Sequence, residues 1–180
     1  MKKVMMFLAA LSGAELTVIS AARAGVLTVT TPESAVLPDN QGGSTRVALR
    51  FDLDSFEAIP SITIDQAILE WSLEDIPSNE PSEYVAGLVT NDWEPEAAAG
   101  GQTALSIDES FQTSAEITPP YYVANGGLLR IDVTRLVRAW YDGDKTDHGL
   151  VLSIFGVDRE VVAGQGSSPT ITIRYASVTD

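Results

Sequence analysis

The chain contains no cysteine and only one histidine, His148. Without thiols it has no disulfides, no thiol nucleophile and no Cys-ligated zinc site, so the fold has to rest on a hydrophobic core. A single imidazole gives little basis for a Ser–His–Asp triad or a His-rich metal site. No glycine-rich phosphate loop follows a predicted strand. We therefore expect that the protein is not an enzyme.

Basic residues are also scarce, with 11 Lys and Arg against 25 Asp and Glu and a formal net charge of −14. Residues 1–24 hold three of the basic and one of the acidic side chains. Residues 25–180 therefore carry 8 basic and 24 acidic side chains, a formal net charge of −16. Such a surface repels phosphate backbones and anionic headgroups, so nucleic acid is not an expected partner.

Long apolar runs are absent except at the start of the chain. Met1–Leu11 combines two lysines with an apolar run, and Ala22-Arg23-Ala24 supplies small residues for cleavage, which is the layout of a secretory signal peptide. The run is shorter than the roughly 20 residues that span a bilayer. We expect a signal peptide at residues 1–24 and one secreted, extracellular or cell-surface domain at residues 25–180, without a membrane span. The alternative is an N-terminal segment that stays and packs against protein.

From Gly25 onward the sequence consists of short alternating segments separated by turn residues. In the clearest segment, Arg46–Leu53, every second residue from Val47 is apolar. We therefore expect one face of this strand to be buried in the core and the other to face solvent. The acidic stretch Asn91–Gly101 is predicted to be a long loop. No alternation of strands and helices is visible. This pattern predicts an all-β fold, an antiparallel jelly-roll or related Greek-key β-sandwich.

One segment breaks the alternation with helical spacing. Leu136 and Trp140 are four residues apart on one helical face, and Asp132 or Thr134 can cap the helix start through a side-chain oxygen. We predict one short helix near Thr134–Tyr141 that closes an open end of the sandwich. The predicted core includes Phe51, Leu69, Trp71, Leu136 and Trp140.

Several motifs are spread over residues 28–176: Arg46–Leu53 (RVALRFDL), Ile64–Leu69 (IDQAIL), Trp93-Glu94, Asp132–Gly143 (DVTRLVRAWYDG) with Asp147–Leu152 (DHGLVL), and Pro169–Tyr175 (PTITIRY). This set resembles the DNRLRE domain, which is related to the disaggregatase repeat. The glycine-rich hairpin usual ahead of the first motif is shortened here. The resemblance implies an extracellular β-sandwich module, and some members are described as carbohydrate-binding. Because the shared residues are mostly core and turn positions, it predicts the fold better than the function.

A polysaccharide site needs exposed aromatic rings, which stack on sugar CH faces, beside polar groups. The candidates are Tyr84, Trp93, Tyr121 and Tyr122. For the last two, the alternative is a strand edge with one ring inside and one outside.

The turn Asp142–Asp147 offers the hard oxygen ligands that Ca²⁺ prefers, from Asp142, Asp144 and Asp147. Its spacing does not match a helix–loop–helix calcium loop, and Lys145 lies inside it. We expect a solvated turn, with calcium as the alternative and no other cofactor.

Two functions fit these observations. The first is a structural or adhesive subunit of an extracellular filament, surface layer or matrix, formed when the chain associates with itself. In that case Val26, Leu27 and Val29 would exchange into a neighbour's sheet; alternatively, Val26–Thr30 completes its own domain. The second is a stand-alone carbohydrate-binding module that recognises a polysaccharide. We favour the first, because no catalytic domain that such a module would serve is predicted within these residues.

Overall fold

The computed structural model describes residues 22–38, 44–53, 59, 61–74, 82–117, 122–123, 126–155 and 167–178. None of the helices in these ranges is long and apolar enough to cross a membrane. The elements are β1 (Ala22–Thr30), β2 (Glu33–Val36), β3 (Ser44–Arg50), β4 (Ile62–Glu74), β5 (Ser82–Val89), α1 (Pro95–Ala99), β6 (Ile107–Ile117), β7 (Tyr122–Val123), β8 (Gly126–Asp132), α2 (Thr134–Tyr141), β9 (Leu150–Phe155) and β10 (Thr170–Val178).

The strands form two antiparallel sheets that enclose a common core. The first sheet has the order β1-β10-β4-β8-β7 and the second the order β2-β3-β9-β5-β6. Without the short edge strands β2 and β7, each sheet keeps four strands, and their orders are those of a jelly roll built from two Greek keys. The predicted all-β antiparallel sandwich is therefore confirmed.

The core lies between the sheets because apolar residues alternate along the strands. Val47 and Leu49 of β3 meet Leu69 and Trp71 of β4 in one buried cluster. The predicted core residues are all buried, which confirms that prediction; they are Phe51, Leu69, Trp71, Leu136 and Trp140.

A second, smaller cluster covers the outer face of the second sheet. Ala48, Val89 and Val151 lie on that face and pack with Trp93 and Ala98. The central strands of this sheet are therefore buried on both sides, which the sequence pattern of β3 did not predict.

Helix α1 lies inside the segment Asn91–Gly101, which the sequence pattern assigned to a loop. Pro95 occupies the first turn and Gly100 follows the last residue, as is common at helix ends. The short run of alanines between them favours helix. Together these residues turn the chain back over the second sheet.

Helix α2 is found where it was predicted. The carboxylate of Asp132 accepts a hydrogen bond from the N–H of Thr134 at 2.9 Å, so it satisfies one of the free donors at the helix start. The apolar face of the helix is buried and comprises Leu136, Val137, Ala139 and Trp140.

Helix α2 also forms hydrogen bonds with the part of β4 that extends beyond the end of β8. Val133 N donates to Ala67 O at 2.9 Å, and Ala67 N donates to the hydroxyl of Thr134 at 2.9 Å. The Arg138 guanidinium donates to Ile64 O at 2.6 Å. The helix therefore closes one end of the sandwich and satisfies backbone groups that no strand covers.

Candidate functional site

Four strands lie at the sheet edges, and three of them have features that oppose pairing with another molecule. β2 has four residues and follows Pro32, and β7 has two residues. The pairing of β6 with β5 is interrupted by a register shift between Ala86 and Leu88, and β6 carries Asp108 and Glu109. The remaining edge strand, β1, has nine residues and no register shift, and Arg23 near its start is its only charged residue.

β1 is a long, regular and neutral edge. It pairs with β10 from Ala22 to Thr30 without a register shift. From Ala24 to Thr30 it contains no charged residue and no proline. Unpaired N–H and C=O groups on such a strand are a template for a further strand. We call the open side of residues Ala24–Thr30 the β1 edge.

Alternate residues of β1 direct their backbone polar groups to this open side. Thr31, directly after the strand, donates its N–H to Pro169 O on the β10 side at 3.1 Å. Residues two apart in an antiparallel strand point the same way. The odd-numbered residues of β1 therefore bond to β10. The N–H and C=O groups at the β1 edge belong to Ala24, Val26, Thr28 and Thr30.

The side chains of these four residues are exposed, and the side chain of Val26 is 65% exposed. Leu27 is half-buried and Val29 is buried in the core of its own domain. Of the three predicted assembly residues, only Val26 is thus available to a neighbour. The prediction for Leu27 and Val29 needs correction, because β1 completes its own sheet.

The two strands at this side of the first sheet carry no acidic residue. Their only charged residues are Arg23 and Arg174, although the chain has a net charge of −14. Two copies can therefore meet here without opposing carboxylates, which are the commonest charge on the rest of the surface.

Two of the predicted sugar-binding aromatics are buried. Tyr84 is 1% exposed and Trp93 is 2% exposed. The indole N–H of Trp93 donates to His148 O at 2.7 Å, and the guanidinium of Arg50 lies 4.9 Å from the ring centroid. Enclosed rings cannot stack on a polysaccharide, so the predictions for Tyr84 and Trp93 are wrong.

Other predicted residues lie partly or wholly outside the described ranges. Tyr121 lies outside them. Tyr122 belongs to β7 and pairs with Gly127 of β8, but the side chain of Tyr122 is not among those described. Of the predicted signal peptide, residues 1–21 are outside, whereas Ala22–Ala24 form the start of β1. These assignments stay predictions.

The carboxylates of the turn Asp142–Asp147 are not grouped around a common site. Asp142 and Asp144 are exposed, and the Asp147 carboxylate accepts a hydrogen bond from Gly149 N at 2.8 Å. In the described part of the chain, no group of three or more His, Cys, Asp or Glu side chains is arranged to hold a metal ion. A calcium site at Asp142, Asp144 and Asp147 thus has no support from their geometry.

An open cleft of about 630 Å³ lies beside this turn, between β6 and α2. Phe111 of β6 lines it, with the Arg135 guanidinium 4.7 Å and the Lys145 ammonium 5.2 Å from the ring centroid. These cation–π contacts connect helix α2, through Arg135, and the turn, through Lys145, to strand β6. Phe111 has no strong sequence signal, because its neighbours in β6 are mostly polar and show no clear alternation.

The Lys145–Asp108 pair is expected to make the stability of the protein depend on pH in the acid range. The ammonium bonds Asp108 at 2.8 Å and, with the Ser110 hydroxyl, lowers the pKa of Asp108 from 3.8 to about 2. Because the folded-state pKa is the lower one, this contribution is complete above pH 3.8 and disappears as the pH falls toward 2. Asp108→Asn should therefore flatten the fall of the melting temperature over that interval. Lys145→Gln should flatten it similarly; an unchanged slope in both variants would exclude the pair as its source.

No family model matches the chain, and no curated protein matches it either. The resemblance to the DNRLRE domain thus stands on its motifs alone. In the structure these motif residues hold the fold together: Trp93 and Trp140 are buried, and Arg50 bonds Glu33 and Asp92, each at 2.9 Å. These motif residues therefore bear on the architecture of the protein rather than on its function.

Proposed function

We propose that this protein is a secreted, non-catalytic structural subunit of an extracellular assembly, such as a filament, surface layer or matrix, and that copies associate through the β1 edge. The observation that carries the proposal is the contrast among the edge strands. β2, β6 and β7 are short, bulged or charged, whereas β1 pairs regularly over nine residues and is neutral from Ala24 to Thr30. Proteins normally block such an edge or use it for binding.

Addition of a strand to this edge is simpler than strand exchange. β1 is paired with β10 along its whole length, from Ala22 to Thr30. Exchange would break all of these pairs before a neighbour could replace them. Pairing on the open side leaves them intact and satisfies backbone groups that otherwise face water. We therefore favour edge addition over the exchange that the sequence suggested.

A stand-alone carbohydrate-binding module has less support from the described side chains. Tyr84 and Trp93 are buried. The cleft at Phe111 offers a ring beside polar groups, but two cations already contact that ring.

Salt is expected to strengthen the association. The net charge of −14 opposes the approach of two copies at long range, although the β1 edge itself is neutral. At about 0.15 M salt the Debye length is about 8 Å, so charges that lie away from the contact are largely screened.

Thr28→Pro should abolish self-association without unfolding the domain. The Thr28 N–H points to the open side, so proline removes a donor of the β1 edge but no bond to β10. Sedimentation and electron microscopy should show assemblies of the wild-type chain and monomers of the variant, with equal circular dichroism. Thr28→Val keeps the N–H and should assemble like the wild type. A wild-type chain that stays monomeric at high concentration and high salt would contradict the proposal.

A further inference from the structure

We infer that two copies of the chain pair through their β1 edges, antiparallel, about a two-fold axis at Thr28. The inference rests on the proposed function, and it adds the two-fold symmetry and the register of the pairing. In this arrangement Thr28 lies opposite Thr28 of the second copy, and Val26 lies opposite Thr30 of the second copy. The first sheets of the two copies become one continuous sheet.

The nature of the edge favours a second copy as the partner. A two-fold axis brings identical surfaces together, which requires a surface that is compatible with itself. The β1 edge meets this condition because it is neutral from Ala24 to Thr30 and has no acidic residue on the adjacent strand β10. A protruding carboxylate at this edge would have faced its own copy.

The direction of the backbone groups restricts the register. Directly opposed residues in antiparallel strands have their side chains on the same face of the sheet. The groups at the β1 edge belong to even-numbered residues, whose side chains are also exposed. Even-numbered residues of one copy must therefore face even-numbered residues of the other.

Among these registers, an axis at Thr28 pairs Val26, Thr28 and Thr30 of both copies. An axis at Leu27 or Val26 would instead place Thr30 opposite Ala24 or Ala22. Both of those residues belong to the segment whose cleavage as a signal peptide is expected. The Thr28 register is thus available to the chain whether or not residues 1–24 are removed.

In this register the free backbone groups of the β1 edge form hydrogen bonds, and its exposed apolar residue, Val26, is covered. Each of the three opposed pairs can exchange two backbone hydrogen bonds. Val26, which is 65% exposed, comes to lie beside the methyl group of a threonine. Within each copy, Thr28 and Thr30 are already opposite Thr172 and Thr170. Pairs of β-branched side chains then run across the axis, and such pairs stabilise sheets.

The contact is self-complementary and therefore closes as a pair. The β1 edge therefore makes a dimer, and this dimer is the unit of the proposed assembly.

The absence of cysteine makes a cross-linking test direct. Hydrogen-bonded opposed residues have Cα atoms about 5.5 Å apart, a separation typical of disulfides. Thr28→Cys should therefore form a disulfide-linked dimer under mild oxidation. The matched control is Thr172→Cys, on the same face but one strand inward. Its two copies would lie three strand spacings apart, roughly 14 Å, which is too far for a disulfide.

A second pair of variants fixes the register. Val26→Cys alone should not cross-link, since its two copies would be roughly 14 Å apart along the strands. A mixture of Val26→Cys and Thr30→Cys chains should give the mixed dimer. If the wild type associates but Thr28→Cys forms no dimer, or Val26→Cys cross-links with itself as readily, the two-fold register is wrong while the proposed function stands. If the wild type does not associate at all, both fail.

Discussion

Gly149→Ala should lower the free energy of unfolding by about 2–5 kcal/mol. Gly149 has a φ of +84°, a left-handed conformation that costs an L-residue about 1–2 kcal/mol. A Cβ added there would lie 2.2 Å from Leu49 O, which is backbone of the neighbouring strand β3. Overpacking of this kind typically costs a further 1–3 kcal/mol or so.

The surrounding bonds prevent the backbone from moving away. Gly149 N donates to the Asp147 carboxylate at 2.8 Å, and Gly149 O accepts from Val89 N at 3.0 Å. The preceding carbonyl, His148 O, accepts the indole N–H of Trp93. A shift that relieved the clash would break contacts to Val89 of β5 and to Trp93, which packs on the outer face of the second sheet.

Gly143→Ala is the matched control. Gly143 also has a positive φ, +75°, but a Cβ there would meet nothing within 4 Å. Only the backbone cost remains, about 1–2 kcal/mol. Chemical denaturation of the two variants should therefore separate them by the cost of the overlap. Equal losses would show that β3 and β9 can move apart at Gly149.

The sequence predicted best those strands that carry large apolar residues on one face. Alternation located most of β3 and helical spacing located α2, because burial between two sheets imposes these periods. The edge strands have a weaker sequence signal. β2 was not predicted, and most of β6 was missed, because residues such as Glu109 and Gln112 face water and leave no apolar period.

The candidate sites were harder to predict, because burial of a side chain depends on distant partners. Trp93 follows a polar segment and resembled an exposed aromatic. Its ring is enclosed by Arg50 and His148, which are 43 and 55 residues away in the chain. Lys145 looked like an interruption in an acidic turn, yet it is bonded to Asp108, 37 residues away. Neither contact has a local sequence signal.

The β1 edge could be predicted only in part from the sequence. The neutral, β-prone character of Val26–Thr30 is visible in the sequence, and a role in association was predicted from it. Its position at the edge of a sheet depends on the pairing of the first strand with the last. The direction of each backbone group follows only from that register. Of the three residues predicted for association, Val26 is exposed at this edge, whereas Leu27 is half-buried and Val29 is buried in its own domain.

Trp140→Ala should lower the free energy of unfolding by about 3–5 kcal/mol, the usual range for removal of a large buried aromatic. Trp140 is 7% exposed and packs in the main core. It lies on α2, whose side chains also bond the edge of β4 through Thr134 and Arg138. A cavity under the helix weakens the closure of this end of the sandwich and the polar contacts that depend on it.

Trp140→Phe separates the effect of volume from that of polarity. The indole N–H of Trp140 is buried and has no hydrogen-bond partner among the groups that the structure describes. Leaving a donor unpaired costs about 1–3 kcal/mol. Phenylalanine keeps most of the ring and removes that donor, so its loss of volume is partly offset and it should cost less than about 1.5 kcal/mol. Denaturant unfolding of both variants measures the difference. A loss below about 1 kcal/mol for Trp140→Ala would mean that α2 closes the sandwich without its tryptophan, through its bonds to β4 alone.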